Sequence, residues 1–140
     1  MIFSITDDRT GSVIRFFLKE PLSKANRYVK KTWKLSNDEV FHTENNHDGV
    51  SYFYRGKAVV WVYGDSQNDE IHFQKVLLHE LLHVCFHFDK HWEDDESPEQ
   101  YDVCLKSEAN FIELVESLYK KVLIKIKQYS NKKSKNKCKR

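Results

Sequence analysis

The segment from Asp69 to Phe88 constrains this chain more than any other, because it reads as a helix apolar on most of its circumference. Asp69 and Glu70 suit the positive end of a helix dipole. At about 100° per residue, His79, His83, His87 and Glu80 fall within one sector of about 100°. Leu77, Leu78, Leu81, Leu82, Val84, Cys85 and Phe86 fill the remainder. A helix of that kind is expected to be buried nearly all round. Burying three imidazoles and a carboxylate together is costly unless something pairs with them.

The same sector carries a chemical pattern. In His79-Glu80-Leu81-Leu82-His83 the i, i+4 spacing puts two imidazoles on one face, within reach of a single tetrahedral ion. Glu80 lies beside them, where its carboxylate can take a proton from a metal-activated water. One Zn²⁺ is therefore the expected partner. The plainer alternative is a set of core histidines satisfied by carbonyls or water. His87 lies about 12 Å along the helix axis from His79, too far to share the ion from an unbroken helix. It is expected to be structural or to border the cleft.

A hydrolytic zinc needs a third protein ligand and one open position. Glu108, in Ser107-Glu108-Ala109-Asn110-Phe111, is the candidate, since its helical companions Cys104, Phe111, Ile112, Val115 and Leu118 are mostly apolar. A carboxylate on an apolar face is expensive unless it is paired or metal-bound. Pairing with a nearby lysine is the alternative.

Elsewhere the chain reads as strands first and helices later, which predicts one α+β domain over residues 1–128. Ile2 to Thr6 and Ser12 to Leu18 flank a turn with Gly11, and Val50 to Tyr54 and Lys57 to Tyr63 flank Arg55-Gly56, so two hairpins are expected. Pro21 to Leu35 reads as a helix. A last helix is expected from Glu99 to about Lys127, with Phe111, Leu114, Val115, Leu118, Val122 and Ile126 inward. Residues 129–140 read as a basic, disordered tail. Its lysines, Lys132, Lys133, Lys135, Lys137 and Lys139, with Arg140, imply at most weak, salt-sensitive nucleic-acid contacts.

Composition narrows the class. The net charge of +2, with 31% charged and 14% aromatic residues, is a globular profile without a nucleic-acid binder's basic excess. Cys85, Cys104 and Cys138 show no CxxC pairing and read as free thiols of a reducing compartment. No secretory signal or membrane-length apolar run is seen, so a cytoplasmic location is expected. Trp33, Trp61 and Trp92 are read as core or rim. His42, His47 and His72 lack paired spacing and are read as surface or loop residues. Asp89 and Glu93 to Glu96 form an acidic loop that would favour basic substrates.

His79-Glu80-Leu81-Leu82-His83, followed by Ser107-Glu108-Ala109-Asn110-Phe111, resembles small gluzincin-type zinc metallopeptidases, more narrowly short phage-encoded ones. The resemblance covers roughly 56–119, under half the chain. It implies a minimal zincin-like domain, with a small, mostly antiparallel sheet packed on the HExxH helix and a C-terminal glutamate helix. It implies one Zn²⁺ on His79, His83 and Glu108, with Glu80 as the base that hydrolyses a peptide substrate. It further implies that an edge strand, Val59-Val60-Trp61-Val62-Tyr63, pairs with that substrate. His91, Tyr101 and Tyr119, with His87, are candidates for an oxyanion or supporting role. The sequence lacks the Gly and third His of metzincins and the upstream Gly/Cys signature of peptide deformylases. A zinc-binding interaction or regulatory protein without turnover is the competing expectation.

Overall fold

The computed structural model describes residues 1–35, 47–64, 70–88 and 101–138, with side chains of the last helix described over 110–136. Strands β1 (Ile2–Thr6) and β2 (Val13–Leu18) form the first hairpin. Helix α1 (Leu22–Thr32) follows, then β3 (Gly49–Tyr54), β4 (Lys57–Val62), α2 (Glu70–Phe88) and α3 (Tyr101–Cys138). The class is α+β, as expected.

Both hairpins close where local chemistry directs. In the first, Gly11 takes a φ of 71° and the buried Asp7 carboxylate accepts bonds from Thr10 Oγ1 at 2.7 Å and the Arg9 N–H at 3.3 Å. In the second, Arg55 and Gly56 both have positive φ, 45° and 72°, as a two-residue type I′ turn requires.

The sheet order is β1-β2-β4-β3, with β2 and β4 parallel between two antiparallel pairs. This corrects the expected place of Val59 to Tyr63. β4 is an interior strand with ladders on both sides, and among the described residues β3 is the edge strand next to it. The physical reason is visible in the residues themselves. Ala58, Val60 and Val62 pack toward α2 and α3, whereas Val59 and Trp61 pack toward α1. A strand covered on both faces reads as a continuous apolar run, and an edge strand seldom does.

The sheet therefore divides two apolar layers. On one side Leu22, Ala25 and Val29 of α1, with Trp33 at its C-terminal cap, meet Phe17, Val59 and Trp61, and Trp61 Nε1 donates to the Glu20 carbonyl at 2.7 Å. On the other, Phe73, Leu77, Leu81, Val84 and Cys85 of α2 and Leu114, Leu118 and Val122 of α3 meet Ile14, Phe16 and Leu18.

Two further expectations are corrected. First, α2 is not buried nearly all round: His79, His83 and His87 are exposed, as are Ile71, Leu78 and Phe86. The sheet and α3 cover only one stripe of it, through Phe73, Leu77, Glu80, Leu81, Val84 and Cys85. Second, α3 does not stop near Lys127 but continues to Cys138 through the stretch expected to be a disordered tail. Tyr129 ties this end down by donating from its hydroxyl to the Ile2 carbonyl at 2.8 Å. Ser130 and Ser134 donate back to the carbonyls four residues earlier, keeping their polar groups satisfied within the helix. No helix among the described residues is long and apolar enough to cross a membrane.

Candidate metal and hydrolytic site

α2 lies against β3 and β4, and the side chains where it meets β3 line an open cleft of about 350 Å³. His79, Glu80 and His83 contribute from α2, and His47, Gly49, Val50, Ser51 and Phe53 from β3 and the residues just before it.

The histidine pair converges as its spacing predicts. His79 Nε2 and His83 Nε2 are 3.1 Å apart, and the rings meet edge to face with centroids 4.7 Å apart. Two unprotonated nitrogens at that distance would repel, so either one ring donates its N–H to the other or a cation sits between them. A tetrahedral zinc with Zn–N near 2.1 Å would set the two nitrogens about 3.4 Å apart, so a small ring rotation accommodates it. The donor type and spacing therefore fit a zinc ion. Exposure changes the reason for expecting one: with the imidazoles at the surface, burial no longer demands a partner, and convergence becomes the argument.

Glu80 is the buried member of the motif, 6% exposed, and lies inside the apolar stripe next to the histidines. Its Oε2 accepts a 2.5 Å hydrogen bond from Ser51 Oγ on β3. Gly49 makes room for the rest of the side chain. A Cβ at residue 49 would sit 2.7 Å from both Glu80 Cγ and Oε1, and 2.8 Å from Val76 Cγ1. This close approach, rather than any backbone twist, is why glycine begins β3.

Edge strand β3 also presents backbone to the cleft. Tyr63 N–H donates to the Asp48 carbonyl at 2.8 Å, and the register then makes Val50, Tyr52 and Tyr54 the residues hydrogen-bonded to β4. The N–H and C=O groups of Gly49, Ser51 and Phe53 point away from β4, on the strand that ends the sheet.

The remaining candidates separate clearly. His87 stacks on Phe53 with centroids 4.3 Å apart, so it buttresses a cleft residue instead of joining the pair. Tyr119 packs against the apolar core and is not among the residues lining the cleft. Glu108 and Tyr101 belong to α3, but their side chains lie outside the described residues, as do His91 and His42 entirely. Among the described residues, no group of three His, Cys, Asp or Glu is placed to hold an ion. His72 pairs with Asp48 at 3.1 Å on the surface. Sequence reasoning missed His47, Gly49 and Ser51. No second histidine stands at helical spacing from His47 in the sequence, and a glycine and a serine at the start of a hairpin look like ordinary strand and turn residues. Their link to Glu80 exists only once β3 lies against α2. Against family models, curated proteins and solved structures, the chain has no match.

Proposed function

We propose that the chain is a zinc-dependent hydrolase of peptide bonds, built as a minimal zincin-like domain. The observation that carries this reading is the convergence of His79 and His83 beside a buried carboxylate, Glu80, in a cleft bordered by an edge strand. His79 and His83 would hold the ion, with Glu108 as the third ligand. A zinc ion there supplies Lewis acidity, lowering the pKa of water and polarising a carbonyl.

The chain's own residues do the rest. Glu80 Oε2 is engaged by Ser51, which leaves Oε1 to accept a proton from the attacking water and later deliver it to the departing amine nitrogen. The outward N–H and C=O groups of Gly49, Ser51 and Phe53 can pair with an extended substrate, a role moved from β4 to β3 by the sheet order. Phe53, backed by His87, offers an apolar wall for a substrate side chain.

The test is hydrolysis of a peptide library by zinc-loaded protein and by Glu80→Gln. The expected result is cleavage by the wild type, and a fall in kcat of about a hundredfold or more in a variant that still binds zinc. Zinc binding without cleavage by the wild type would overturn the enzyme reading and leave a zinc-binding interaction module.

A further inference from the structure

Glu80 must point into the cleft from a helix whose neighbouring face is open to solvent, and a free glutamate there has several rotamers available. Two contacts from β3 remove that freedom. Ser51 Oγ donates to Oε2 at 2.5 Å, within the short range of hydroxyl–carboxylate bonds. The bare Cα of Gly49 admits the Cγ and Oε1 that any larger residue would displace. Both residues also send outward-facing backbone groups to the sheet edge, so the strand offered to a substrate is the one that holds the carboxylate.

From this geometry we infer that Ser51 is a positioning residue for Glu80, and that Gly49 and Ser51 together fix the base relative to a substrate paired on β3. The inference rests on the hydrolase reading for its functional consequence, but the clamp itself is a property of the chain alone. It sets the line along which Oε1 meets the proton it takes, and it also keeps the carboxylate from swinging toward the histidine pair.

The test uses Ser51→Ala and Ser51→Thr in the full chain, each checked for wild-type thermal unfolding, with two readouts. The first is the carboxyl carbon resonance of Glu80 in ¹³C-glutamate-labelled protein without metal. It is expected to move in Ser51→Ala and return in Ser51→Thr, which restores the hydroxyl. The second is peptide hydrolysis with zinc: kcat is expected to fall roughly tenfold or more in Ser51→Ala while KM and zinc affinity stay near wild type, with Ser51→Thr recovering most of the loss. A Glu80 resonance unmoved by Ser51→Ala overturns the clamp. A resonance that moves while kcat does not overturns the positioning role. Absence of hydrolysis in the wild type overturns the hydrolase reading instead, and the resonance still decides the clamp.

Discussion

The two edges of the sheet are managed in opposite ways. At β1 two of the outward carbonyls are taken: Tyr129 donates to Ile2 O at 2.8 Å and Lys121 to Thr6 O at 2.8 Å, while Lys121 also pairs with Asp8 at 2.7 Å. Side chains of α3 thereby occupy two of the groups that another strand would seek. At β3 the outward groups of Gly49, Ser51 and Phe53 border a cleft that contains two imidazoles and a buried carboxylate. One edge is partly covered by the last helix, and the other borders chemically active side chains. An edge strand is a hazard that proteins usually blunt, and among the described residues β3 is the edge that lies beside titratable groups.

This contrast can be broken from either side, most severely at Gly49. Gly49→Ala puts a Cβ into the space held by Glu80 and Val76, so the carboxylate must leave Ser51. A stability loss of about 1–3 kcal/mol in urea unfolding and loss of most hydrolytic activity are expected. Full stability and activity would show that the close approach relaxes without consequence.

A smaller effect is expected at the β1 edge. Tyr129→Phe removes one hydrogen bond from a half-exposed site and should cost about 1 kcal/mol or less. Combined with Lys121→Ala it uncovers the Ile2 and Thr6 carbonyls, and concentration-dependent self-association by light scattering is the expected sign. Hydrolysis by the double variant should match the wild type, since neither residue lines the cleft.

The sequence made the local elements legible and left their arrangement hidden. The hairpins could be read because Gly11 and Arg55-Gly56 demand particular turns, and α1 because Ala25, Val29 and Trp33 recur at helical spacing. The parallel pairing of β2 with β4 could not, since it depends on how a crossover folds back and not on either strand alone. Ala58 to Val62 did carry a signal of its interior place, in apolar residues at consecutive positions. For the site, the His79–His83 spacing is a property of one helix and was readable. Which side of that helix meets solvent depends on where the sheet covers it, so the exposure of the histidines was not. Ser51, Gly49 and His47 come from another part of the chain, and only packing brings them together.

The smallest effect concerns acid stability at the start of α1. Lys24 and then the N-terminal amine, each hydrogen-bonded to Glu20, hold its carboxyl below the ordinary 4.5, with burial partly opposing them. A depressed folded-state pKa contributes stability above the unfolded value, and that contribution is lost as pH falls through the folded one. Glu20→Gln should therefore melt slightly below wild type at pH 7, and the two curves should converge as the pH falls below the ordinary 4.5 and through the depressed folded-state value. A constant difference across that range would place the stabilisation elsewhere.

The most direct test of the site is metal content. Wild-type protein, loaded with Zn²⁺ and dialysed, is expected to retain one ion per chain by elemental analysis. His79→Ala and His83→Ala should each lose it with little change in unfolding of the metal-free protein, because both side chains are exposed. No retained zinc in the wild type, or equal retention in both variants, would contradict the assignment of an ion to this histidine pair.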